Sequence, residues 1–188
     1  MNEPAATSEP AAPLEVLQAL AELLGTLLLR EVGPRELAWM GEPDVASALS
    51  ELGLVLPEVD EDATWIEKRG AEYHDLFLRP EAGPLVQSLW MQGRYEGDST
   101  VRVRQLAEAA AVEFDRSAAR GAPVDHLGSL LLLWAATAER SPAVAEDLTR
   151  EHLGWATRPL ANVEAAGGFY GGVARATRSL LGLLAEPT

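Results

Sequence analysis

Few residues of this chain carry reactive chemistry. There are three histidines, and two of them sit beside an aspartate, in His74-Asp75 and Asp125-His126; the third is His152. A histidine with a carboxylate partner can move protons or hold a metal. Neighbours on a helix point about 100° apart, so neither dipeptide is a dyad by itself, and the two would have to converge in space. No HExxH or comparable ligand spacing occurs. The chain has no cysteine, which excludes thiolate nucleophiles, disulfides and Cys-based zinc or iron–sulfur sites. No serine lies in a GxSxG elbow, and the glycines form neither a Walker-A loop nor GxGxxG. The expectation is therefore a protein that is not an enzyme, with no catalytic residue, no metal and no cofactor. The remaining chemistry is aromatic: Tyr73, Phe77, Trp90 and Trp134. Aromatic side chains are core residues by default. The alternative is a groove lined for a peptide helix.

The elements that must position these residues read as helices. Ala122 to Trp134 is the most apolar stretch. Pro123 suits a first helical position and Asp125 a first turn, which places Asp125-His126 at the rim of a buried helix. Leu127, Leu130, Leu131, Trp134 and Ala138 follow at helical spacing. Upstream, Leu14 to about Glu31 repeats leucine at three and four, an amphipathic helix. Shorter helices follow over Arg35–Met40 and the Val45–Leu52 region. The next runs from about Ala63 to Leu76 or Phe77 and puts Tyr73 and Phe77 on one face; Arg79-Pro80 stops it. Leu85–Met91 is a short segment, and Asp98 or Ser99 caps a helix through Arg116. Beyond Ser141-Pro142, helices are expected from Ala145 to about Trp155, from Thr157-Arg158-Pro159, and from Phe169-Tyr170 to Leu184. No segment alternates as a strand. The fold class is all-α: a single-domain multi-helix bundle of about eight to ten helices of ordinary length.

At 188 residues and 47% hydrophobic, one domain with a useful core is expected. Residues 1–13 read as a disordered tail rich in Ala, Pro and Glu, without the pattern of a signal peptide. The helical domain spans 14–188: an N-terminal half at 14–116, a small-residue hinge at 117–122 and a C-terminal half at 123–188. Such a connector permits a monomer or a domain-swapped dimer. A net charge of −14 argues against nucleic acid and anionic membrane surfaces as partners. No apolar run approaches the ~20 residues that span a bilayer. Localisation in a reducing cytoplasm fits.

Four stretches in order resemble the TorD/DmsD/NarJ family of redox-enzyme maturation chaperones. They are Glu72-Tyr73-His74-Asp75-Leu76-Phe77 with Arg79-Pro80; Gly83-Pro84 with Ser88-Leu89-Trp90; Gly97-Asp98-Ser99-Thr100; and Pro123-Val124-Asp125-His126-Leu127, similar to the family's P-x-D-H-[LI] signature. His152-Leu153 with Trp155, and Phe169-Tyr170, extend the likeness. The chain departs at Leu85-Val86-Gln87, where the family often continues Pro-Tyr-Glu, and at the apolar Leu130–Leu133, where a Glu is common. The resemblance implies a cytoplasmic chaperone, not itself an enzyme. Its partner would be the precursor of a molybdenum oxidoreductase, commonly held by its twin-arginine signal peptide until the cofactor is loaded. It also implies a client-binding set: Tyr73, Phe77, Pro84, Trp90, Asp125, His126 and Leu127. Burying three or four apolar client side chains gains roughly 5–10 kcal/mol, and association costs bring the expected affinity to around micromolar. On this reading Asp125→Ala or His126→Ala weakens client binding and leaves melting nearly unchanged. Two alternatives stay open: a NarJ-like assembly chaperone for a non-exported catalytic subunit, and an unrelated helical interaction module.

Overall fold

The computed structural model describes residues 12–56, 63–79, 84–115, 117 and 119–186. These residues form α-helices without a strand, as the absence of alternation predicts: α1 (Leu14–Leu29), α2 (Pro34–Met40), α3 (Pro43–Glu51), α4 (Ala63–Tyr73), α5 (Gln87–Gln92), α6 (Asp98–Ala109), α7 (Leu127–Thr137), α8 (Pro142–Leu148), α9 (Thr157–Ala166) and α10 (Gly168–Ala185). A π-helical turn, His74–Leu78, continues α4, and another, Thr149–Leu153, continues α8 before a 3-10 turn leads into α9. Most of the expected tail, together with Pro80, Gly83 and Arg116, falls outside the described residues.

The core is built around α1. Its Leu20, Leu23, Leu24, Leu27 and Leu28 are buried, and it packs against α7 on one side and α10 on the other. The two central helices run antiparallel. Gln18 Nε2 donates to the Ala135 carbonyl at 2.9 Å near one end, and Gly25 meets Gly128 near the other. A Cβ on Gly128 would lie 2.5 Å from the Gly25 carbonyl oxygen, and one on Gly25 2.9 Å from that of Gly128. No side chain larger than hydrogen fits between these backbones, so the glycine pair sets the separation of α1 and α7. The crossing joins the first and last thirds of the sequence into one body.

Two boundaries differ from the sequence expectation. Helix α7 starts at Leu127, with His126 as its N-cap. Pro123 to Asp125 are therefore outside the helix, and Asp125 is not in its first turn. The reason is a competing partner: the residues before Leu127 pair with Leu85–Ser88, as described below. Helix α6 ends at Ala109 rather than at Arg116. Ala111 adopts φ 53° there, and Val112 N–H donates to the Ala107 carbonyl at 2.9 Å, a bond that closes the helix end.

Candidate functional site

Two extended segments, adjacent in space and about forty residues apart in sequence, make the frame of the site. Val86 and His126 form an isolated antiparallel bridge. Gln87 N–H donates to the Asp125 carbonyl at 3.0 Å, and Leu127 N–H to the Leu85 carbonyl at 2.8 Å. Asp125 is fully buried. Its Oδ2 accepts from Ser88 N–H at 2.8 Å, in the first turn of α5. That N–H has no partner within its own helix, and a carboxylate at a helix N-terminus also meets the positive end of the dipole. Asp125 is thus a cap supplied from a distant segment. The next residue caps the other helix: His126 Nδ1 accepts from Gly128 N–H at 3.1 Å. A nitrogen that accepts carries no proton. Burial pushes the His126 pKa down to about 4, against the nearby Asp125 charge that raises it. The imidazole is neutral around pH 7.

A second buried polar link locks the start of α5 from behind. Gln87 Oε1 lies 2.8 Å from His152 Nδ1, and Gln87 Nε2 donates to the Glu151 carbonyl at 3.1 Å. Trp155 Nε1 donates to the His152 carbonyl at 2.8 Å. Burial lowers the His152 pKa as well.

In front of this frame lies a cleft of about 410 Å³, lined by Tyr73, Phe77, Leu78, Pro84, Tyr95 and His126 among others, with Arg120 at its edge. Its wall belongs to an aromatic cluster. Tyr73 stands 5.0 Å from Phe77 and 5.3 Å from Tyr170, and Phe77 lies 5.6 Å from Tyr170, centroid to centroid. Both tyrosines tie the end of α1. Tyr73 Oη donates to the Leu28 carbonyl at 3.2 Å, and Tyr170 Oη accepts from Val32 N–H at 2.9 Å. Burial pushes the Tyr73 phenol up to about 12 and the Tyr170 phenol higher still. Both stay neutral donors or acceptors at any ordinary pH. Glu72, the first residue of the E-Y-x-x-L-F stretch, accepts from Tyr170 N–H at 2.8 Å and caps α10.

The family model described as "Nitrate reductase delta subunit" matches residues 42–158, which hold α3 to α8, the frame and most of the cleft. The chain belongs to the nitrate reductase delta subunit family. This is a family of molybdoenzyme assembly chaperones, and it bears out the TorD/NarJ-like resemblance. No curated protein and no solved structure matches the chain at a significant level.

Within this delta-family chain, the residues singled out from sequence divide in two. Tyr73, Phe77, Pro84 and His126 come together around the cleft. Trp90 stands outside it, exposed, with Nε1 donating to the Pro84 carbonyl at 2.9 Å. Asp125 and Leu127 are wholly enclosed and touch no open surface. The placement of Asp125-His126 at the rim therefore holds for His126 alone. His74 and Asp75 do not join them: both are exposed, and Asp75 pairs with Arg79 at 2.8 Å. Trp134 is core, with Nε1 on Thr149 Oγ1 at 3.1 Å. Sequence reasoning missed Leu78, Tyr95 and Arg120. Leu78 sits one residue beyond the Tyr73–Phe77 face and reaches the cleft because the π turn shifts the register. Tyr95, in a glycine-flanked loop, and Arg120 carried no periodic signal. Among the described residues no group of His, Asp and Glu could hold a metal ion, and no helix is long and apolar enough to cross a membrane.

Proposed function

We propose that this delta-family chaperone binds the N-terminal segment of a molybdenum oxidoreductase precursor, a twin-arginine signal peptide, in the cleft of Tyr73, Phe77, Pro84 and His126. It holds that segment while the cofactor is inserted and so delays export. The observation that carries the reading is the cleft itself: an aromatic and aliphatic wall with a neutral imidazole at its rim, open where the family signatures meet. Arg120, the cation at its edge, is paired with Glu31 at 3.3 Å, which offsets its repulsion of the basic start of such a peptide, and the wall takes the apolar run. The family description names nitrate reductase, and the alternative client is a catalytic subunit of that type that is not exported. Calorimetry with the N-terminal peptides of both classes separates the two. Binding near micromolar is expected, weakened by Leu78→Asp and Tyr95→Ala, two exposed cleft residues whose loss leaves melting unchanged. Binding that survives both substitutions, or no binding by any peptide, would overturn the cleft as the client site.

A further inference from the structure

Helix α7 is apolar around its whole circumference, a composition that calls for burial on every side. Most of it is buried: Leu127, Leu130, Leu131, Leu133 and Trp134 are enclosed. One stripe is not. Leu132, Ala135 and Ala136, at the three-and-four spacing of a single face, are only half covered. Together with Glu15, Gln18 and Glu22 of α1 and Trp39 of α2 they line an open groove of about 530 Å³ along the α1–α7 pair. It shares no lining residue with the cleft.

The groove floor is apolar, and among the described residues its only charged lining groups are the carboxylates Glu15 and Glu22, one below the other on α1. Among the described residues neither has an ion-pair partner. Arg140, at the end of α7, is turned to the Ala136 carbonyl at 3.1 Å and does not line the groove. An apolar trough with an acidic edge matches one kind of occupant, a helix with a leucine-type face and lysine or arginine beside it. The chain's own residues 1–11 do not fit: they hold two glutamates and no basic residue. A second copy of the same groove, equally acidic, is repelled for the same reason.

We infer that the α1–α7 groove is a second docking surface, which takes a basic amphipathic helix of a protein partner across Glu15, Glu22, Trp39 and Leu132. The inference does not depend on what fills the aromatic cleft.

The test uses the full chain and a fluorescent synthetic helix of leucine and lysine in amphipathic order, read by anisotropy. The glutamate-for-lysine version of the same peptide is the control. The basic peptide binds and the acidic one does not. Added salt weakens the complex, because exposed charges are screened. Glu15→Lys/Glu22→Lys weakens it about tenfold, since two exposed attractions become repulsions. Ala135→Glu blocks the floor and weakens it also. The equally exposed pair Glu51→Lys/Glu108→Lys changes the net charge by the same amount and leaves binding within about twofold. Equal loss in both double variants would reduce the effect to the overall charge of −14 and overturn the groove. Unchanged binding in Glu15→Lys/Glu22→Lys, or equal binding of the acidic peptide, would do the same.

Discussion

Asp125 and His126 are neighbours that do different work. Asp125 is enclosed and its Oδ2 holds the Ser88 N–H. Asp125→Ala leaves that buried donor unpaired, at a cost of about 2 kcal/mol. For a chain of this size the melting temperature should fall by roughly 4–8 °C. That outcome reverses the expectation, drawn from the family signature, that melting would stay unchanged. An unaltered thermal transition in Asp125→Ala would show that the cap is dispensable. His126 is held neutral in the folded protein, with a pKa near 4 against 6.5 in a free side chain. In the interval between these values the unfolded chain binds the extra proton. The stability His126 contributes is thus whole above about pH 6.5 and is lost as pH falls towards 4. The loss should reach about 1–3 kcal/mol, to which His152, shifted the same way, adds. His126→Asn keeps an acceptor at the N-cap and removes the titration. Urea midpoints across pH 4–7 should fall less steeply in that variant than in the parent protein. The sequence displayed the pair but not the division of labour. Asp125 answers to Ser88 and Gln87, 37 and 38 residues upstream, and no local pattern carries that pairing.

At the scale of elements, helical periodicity located nearly every helix, because leucines at three and four mark a buried face however the helices pack. It failed at ends, where a competing partner decides. The Pro123-Val124-Asp125 start has the composition of a first turn, but its backbone is taken by Leu85–Gln87. Helix α6 stops on a left-handed Ala111, a position that favours glycine. Ala111 is exposed, so Ala111→Gly should stabilise the protein by about 0.5–1 kcal/mol, read as a higher urea midpoint with unchanged slope. An unchanged or lower midpoint would mean that the turn is not strained. The α1–α7 crossing should behave oppositely. Gly128→Ala puts a methyl group 2.5 Å from the Gly25 carbonyl. The helices must separate, with a loss of about 1–3 kcal/mol despite the better helix propensity of alanine. If propensity wins and the melting temperature rises, the glycine contact does not set the packing distance. Neither glycine announced this role in the sequence, since each reads only as a weak point in its own helix.

At the scale of the molecule the governing quantity is charge: 29 acidic residues against 15 basic ones. The basic residues are largely spoken for. Arg30 pairs with Glu36, Arg102 reaches Asp147 and Glu151, and Arg175 and Arg178 both reach Glu164. These pairs lie on or near the surface, where each is worth under about 1 kcal/mol. The surplus carboxylates repel one another over longer distances and oppose the compact state. Salt screens both effects, but the unpaired surplus is the larger quantity. The melting temperature should therefore rise as sodium chloride goes from low to physiological concentration, where the screening length falls to about 8 Å. A fall over that range would show that local ion pairs outweigh the net repulsion. The same surplus was visible in composition before any fold was known, and it argued against nucleic acid as a partner. Composition could not say where the acids gather. Only the packing of α1 on α7 sets Glu15 and Glu22 beside an uncovered apolar stripe, and so turns a bulk property into a surface with a preferred partner. Screening acts on the two in opposite directions: salt that steadies the free chaperone should loosen a basic partner from that groove. Melting and peptide anisotropy measured over one salt series should consequently move apart, and a parallel response would mean that the groove draws no specific benefit from its acidic edge.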